Sequence, residues 1–266
     1  GANHLVSFEA GLRENMVPQD ATAVVESANL AELVVDFESF LLEHQLGGQV
    51  QLQGNQAIFS LIGKAAHGST PSKGVNAATF LAKYLHRFEF DQAGAENFLH
   101  LLADHLHLDF EGVNLGVAHR DPVMQELTMN VGLVNYQDDK GGSVVANFRY
   151  PKGTDPEKMA VQTAQRLAGH DLSVEWGEFK EPHYVSVDDP MVKELLAVYE
   201  EQTSLEGHEM TIGGGTYGRL MPRGVAYGAL FPDSIDTMHQ ANEFIAIDDL
   251  LKATAIYAEA IYRITR

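Results

Sequence analysis

The 266-residue chain contains no cysteine, which excludes disulfides, thiolate metal sites and cysteine nucleophiles; any metal must be held by imidazole and carboxylate. Basic residues are scarce. Against 37 Asp and Glu stand 18 Lys and Arg, a formal charge of −19 that repels phosphate backbones and makes nucleic acid an unexpected partner. No run approaches the ~18 apolar residues of a membrane helix. The start Gly1-Ala2-Asn3-His4 carries neither a basic nor an apolar leader, so the expectation is a cytoplasmic protein without a membrane partner. Neither a GxSxG elbow nor a GxxxxGK[ST] phosphate loop occurs. What is present is ordinary globular composition, 45% hydrophobic and 21% charged, over a length that suits one or two bodies.

Periodicity and turn residues give an α/β order. Strands are expected over 5–12 and 22–26, and a helix over Asn29–Leu46 stopped by Gly47-Gly48. A hairpin turns at Gly54-Asn55, and a polar Gly-Ser-Thr-Pro stretch leads into a helix over 76–88. After a helix over 95–107, a second hairpin spans 127–150, Pro156 opens a helix to Leu167, and 172–179 returns to extended structure. The second strand-strand-helix-strand set echoes the first, which predicts two antiparallel α/β units before residue 182. Beyond Glu181-Pro182 the pattern is a helix over 190–202, short strands over 208–212 and 225–230, and a last helix over 248–264. These are few strands for a free sheet, so a further segment is expected to complete this part.

Several residues suit chemistry. His239 lies in a polar loop before the last helix, where α/β sheets place ligands. His67 sits between a strand and a helix in Gly63-Lys64-Ala65-Ala66-His67-Gly68-Ser69-Thr70-Pro71, placed either to donate to an oxyanion or to cap the next helix. Arg149 ends a strand and is either a carboxylate fork or a surface ion pair. Gly213 to Gly215 offer backbone N–H groups to an anion. The His107-Leu108-Asp109 triplet, the Glu200-Glu201 pair and the pair His100 and Asp104 have ligand-like spacing, but their helical setting reads as structural.

Taken with Gly11-Leu12-Arg13-Glu14-Asn15-Met16-Val17-Pro18, Asn147-Phe148-Arg149-Tyr150-Pro151, Gly213-Gly214-Gly215-Thr216-Tyr217 and Met238-His239-Gln240-Ala241-Asn242-Glu243, the His67 string resembles the zinc-dependent dipeptidases of the aminoacylase/carboxypeptidase group. It is most similar to the bacterial Xaa-His, carnosinase-like members. The resemblance implies a lid, residues 1–182, of two related α/β units, and over 183–266 the last part of an α/β catalytic domain holding two zinc ions. It further implies His239 as a zinc ligand, His67 as the lid histidine that stabilises the oxyanion, and Arg149 as the clamp on the carboxylate of a dipeptide substrate. Asn15 would contact substrate, and Gly214 and Gly215 would help seat its carboxylate. The family's remaining metal ligands precede its lid and have no counterpart here, so the chain is expected to be a C-terminal portion lacking an N-terminal catalytic segment, inactive alone. A monomer is expected because one lid already doubles its unit. The reading from another class is a non-catalytic peptide-binding or assembly module.

Overall fold

The computed structural model describes residues 2–228 and 230–266, so Ala229, inside the strand expected over 225–230, lies outside the described residues. Contacts divide the chain into two compact units, Gly1–Lys180 and Glu181–Arg266.

In the first unit, β1 (His4–Ala10), β2 (Asp20–Glu26), β3 (Gly47–Gln53), β4 (Gln56–Ile62), β7 (Thr128–Gln137) and β8 (Gly141–Arg149) form one six-stranded sheet in the order β3-β4-β2-β1-β7-β8. A separate two-residue ribbon pairs β5 (Arg120–Asp121) with β6 (Gln125–Glu126). Ala21, Ala23 and Val25 of β2 and Ala57, Phe59 and Leu61 of β4 alternate inward, the period of a sheet with one buried face. Helices α1 (Leu30–Glu43), α2 (Ala77–Leu85) and α3 (Ala93–His100) supply the apolar groups that cover it. The Phe37 ring meets the edge of Phe59 at 5.0 Å, and the Tyr84 hydroxyl donates to the Leu33 carbonyl at 2.6 Å, which satisfies a polar atom within that core. The two strand-helix sets that the sequence shows as repeats share this single sheet and core, because β1 pairs antiparallel with β7 (Phe8 opposite Tyr136).

Three local expectations are corrected. Helix α1 ends before the glycine pair: Gln45 takes the left-handed position at φ 54°, the Leu46 N–H returns to the Leu41 carbonyl at 2.9 Å, and Gly47 and Gly48 instead open β3. From Leu101 to Leu106 the chain winds as a π-helix that continues α3. Residues 172–179 form no ladder; Trp176 packs on Phe148 at 5.7 Å, Phe179 stacks on Tyr150 at 4.5 Å, and the Lys180 N–H donates to the Tyr150 hydroxyl. Ring contacts to the end of β8 hold this segment where strand pairing was expected. Helix α4 (Pro156–Arg166) precedes it, opened by Asp155, which accepts from the N–H groups of Glu157 and Lys158.

The second unit is built on α5 (Pro190–Thr203) and α6 (Ile247–Ile264), with Leu195, Val198, Phe231, Ile256 and Ala260 as its core. Asp189 caps α5 through the Met191 N–H and holds Arg223 by two bonds of 2.7 and 2.8 Å. No strand forms over 208–212 or among the described residues of 225–230, contrary to the alternation in sequence. Alternation makes a strand only where a second backbone offers N–H and C=O groups. Met210, Ile212, Leu250 and Leu251 stay exposed.

Candidate active site

Three backbone segments converge around His67. The loop carrying it follows β4 and precedes α2, and it is sewn to the loop after β1: the Val17 N–H donates to the Ala66 carbonyl at 2.9 Å, and the Gly68 N–H donates to the Asn15 carbonyl at 2.6 Å. A Cβ on residue 68 would lie 2.8 Å from that oxygen, so only glycine admits the approach. The Asn15 loop rests in turn on β7. Asn130 Nδ2 donates to the carbonyls of Glu14 and Met16 at 2.9 and 3.0 Å, and Gly132, the residue skipped in the β7–β8 register, leaves room for the Glu14 backbone. On the far side, Asn76 caps α2 through the N–H groups of Ala78 and Thr79 while its own amide donates to the Val131 carbonyl at 2.9 Å. Asn15 and His67 are therefore brought together and fixed to the central sheet.

The His67 ring is exposed, with Nδ1 facing the Ser69 backbone N–H at 3.1 Å and the Ser69 hydroxyl at 2.8 Å. A ring nitrogen that accepts from an amide carries a lone pair, which places the imidazole proton on Nε2 as a donor toward solvent or ligand. Arg149, half-buried at the end of β8, stands opposite Thr128 of β7. Thr128 borders a cavity of about 360 Å³ that Ser69, Thr70 and Ser72 line from the His67 loop. Its opposite wall is segment 108–113, held by Asp109, whose carboxylate accepts from the N–H groups of Glu111, Val113 and Asn114.

Gly214, Gly215 and His239 belong to the second unit. The glycines lie in an exposed loop, Gly214 in open space and Gly215 against the Arg219 guanidinium. Gly213, Gly215 and Gly218 also fall at G-x-G-x-x-G spacing, but a short 3₁₀ turn, Tyr217–Leu220, follows in place of a full helix and no strand precedes it, so the nucleotide-binding setting is absent. His239 occupies the left-handed position, φ 62°, of a turn closed by the Gln240 N–H on the Thr237 carbonyl. Thr237 Oγ1 accepts from the Phe244 N–H at 3.1 Å and pins the base of the loop that displays the imidazole.

A pair of zinc ions requires several converging donors. Among the described residues no group of three His, Asp or Glu donors forms around His239, which offers one imidazole. The other acidic motifs are otherwise engaged. Glu200 accepts from the Gly207 N–H, and Glu201 pairs with Arg263, whose hydrogen bonds hold its carboxyl below the usual range. His107 bonds Thr79 Oγ1 at 3.0 Å, meets the Phe80 ring at 4.5 Å, and is pushed down to about 4 by burial. The sequence passed over one cluster that the fold assembles: His100, His105 and His170, with His86 and Asp104 beside it. Burial and the neighbouring imidazoles of His100 and His170 lower the His105 pKa.

The family model described as Peptidase family M20/M25/M40 matches residues 9–263. Over 263 residues the chain is 45% identical to the "Beta-Ala-Xaa dipeptidase" of Lactobacillus delbrueckii subsp. lactis, covering 98% of this chain and 55% of that protein. It is 39% identical over 264 residues to the "Putative dipeptidase YtjP" of Bacillus subtilis (strain 168), covering 98% and 56%. The chain thus spans about half the length of the curated relatives it matches. No described helix is long and apolar enough to cross a membrane. Matched along nearly all its length, the chain belongs to the M20/M25/M40 peptidase family.

Proposed function

We propose that the protein acts in the hydrolysis of dipeptides. The observation that carries this is the pairing of a backbone-fixed Asn15 loop with a His67 ring whose Nδ1 is held by Ser69, in a chain 45% identical to a dipeptidase. When water adds to a peptide carbonyl, negative charge develops on its oxygen, and the outward Nε2–H of His67 is a preset donor for it. Arg149 supplies a planar fork for the C-terminal carboxylate, and Asn15 an amide contact. A substrate held by its terminal carboxylate while its carbonyl meets His67 is short, which is how a dipeptide is told from a longer peptide. On this reading the first unit is the lid and the second carries the ligand loop. Zinc at His239 rests on the Met238–Glu243 motif alone.

The test is steady-state hydrolysis of an unblocked dipeptide by the intact, zinc-loaded gene product and its His67→Ala variant. Loss of the oxyanion donor lowers kcat by about 10²–10³ with KM nearly unchanged. Full kcat/KM in the variant removes His67 from the chemistry. Dipeptide binding without hydrolysis by the unmutated protein would instead favour the binding-module reading.

A further inference from the structure

The histidines beside the π-helix converge as ligands do. In α-helical winding, residues i and i+4 share a face while i+5 turns away; the i→i+5 winding of Leu101–Leu106 brings Asp104 and His105 to either side of His100. A third imidazole arrives from the turn after α4, where Gly169 and Asp171, at φ 85° and 50°, bend the chain sharply around His170. Ring centroids lie 4.5 Å apart for His100 and His170, 5.1 Å for His100 and His105, and 5.6 Å for His105 and His170. One nitrogen from each ring falls within 4.8 Å of the others, and all three residues are half-buried.

We propose that His100, His105 and His170 bind one divalent transition-metal cation, zinc foremost. Tetrahedral zinc with bonds of about 2.0–2.1 Å sets its nitrogens about 3.4 Å apart, within reach of small rotamer changes in half-buried rings. The surrounding groups suit this. His100 Nδ1 lies 2.9 Å from Asp104 Oδ2, so the carboxylate can orient the ring and Nε2 remains for the metal, as where a carboxylate orients a metal-bound imidazole. Asp104 itself is a poor ligand, since it already accepts from Lys83 Nζ at 3.2 Å and from His86 Nε2 at 3.1 Å, and the ammonium repels a cation. That sets the three-imidazole group above the alternative of His86, His100 and Asp104, which shares His100. A donor set of imidazoles without carboxylate selects zinc, nickel or copper over magnesium or calcium. The bound ion would staple α3 to the end of α4 across 70 positions of sequence and stabilise the first unit by mass action. The proposal uses neither His67 nor His239 and stands apart from the dipeptidase reading.

Its test is zinc titration of the whole, chelator-stripped chain, followed by calorimetry and by the histidine side-chain ¹⁵N spectrum. One zinc per chain is expected to bind at this cluster and to persist in His239→Ala. Binding there weakens by about a hundredfold or more in His105→Ala and His170→Ala, and roughly tenfold in Asp104→Asn. Equal zinc affinity in the wild type, His105→Ala and His170→Ala overturns the assignment, as does the absence of any zinc binding that persists in His239→Ala. Should an alanine variant not fold, the wild-type spectrum decides: zinc moves the ring resonances of His100, His105 and His170, and an unmoved set contradicts the site.

Discussion

The Gly68 N–H meets the carbonyl oxygen of Asn15 at 2.6 Å, and together with the Val17 N–H on the Ala66 carbonyl this bond joins the Asn15 and His67 loops. Neither loop lies within the sheet, yet each is anchored to it: the Asn15 loop through Asn130, and the His67 loop through the Lys64–Val75 bridge that leads to the Asn76 cap.

Gly68→Ala tests that joint. The added methyl meets the Asn15 carbonyl oxygen at 2.8 Å and its carbon at 2.9 Å, backbone atoms that can yield only if the loop moves. Destabilisation of about 1–3 kcal/mol is expected in urea unfolding, with a larger fractional loss in dipeptide kcat/KM than in stability-matched core variants. A variant of wild-type stability and activity shows that the loops need not touch.

Acid sensitivity should trace in part to His107. Its folded pKa, about 4, lies below the ordinary 6.5, because burial against Phe80 disfavours the charged ring, reinforced by the charges of Lys83 and His44. The folded state binds fewer protons than the unfolded state in that window. Stability is therefore complete above pH 6.5 and falls as pH drops toward about 4. His107→Gln keeps a partner for Thr79 and cannot titrate, so its Tm should fall less than that of the wild type between pH 7 and pH 4.5. Parallel Tm curves exclude His107 as the cause.

A second acid transition belongs to Asp189. Its hydrogen bonds from Arg223 lower its pKa from 3.8 to about 2, so the stabilisation is present above pH 3.8 and is lost as pH falls through about 2. Arg223→Ala should unfold at lower urea than the wild type at pH 7, and the gap should narrow below pH 3.8. A gap that stays constant with pH shows that the pair contributes through packing alone.

Helices and hairpins were legible because their signals are local: the three-and-four spacing of Leu30, Leu33, Phe37 and Leu41, the turn at Gly54-Asn55, and the Asp155-Pro156 start. The joining of β1 to β7 was not, since pairing across more than a hundred residues depends on which edges meet. Nor did alternation over 208–212 reveal that no second backbone would pair with it. In the site, the strand-loop-helix setting of His67 was readable from its flanks, whereas its tautomer depends on Ser69 folding back. The histidines near 100 read as structural because of their place at a helix end; the π winding and the arrival of His170 bring three of the rings together.

The central claim, that Arg149 grips the terminal carboxylate of a dipeptide whose carbonyl meets His67, is tested most directly by a cycle of Arg149→Ala against C-terminal amidation of the substrate, read as kcat/KM. Each change alone is expected to lower kcat/KM by about 2–5 kcal/mol, and the two together by no more than the larger single loss. Losses that add in full would contradict it, since guanidinium and carboxylate would then act independently.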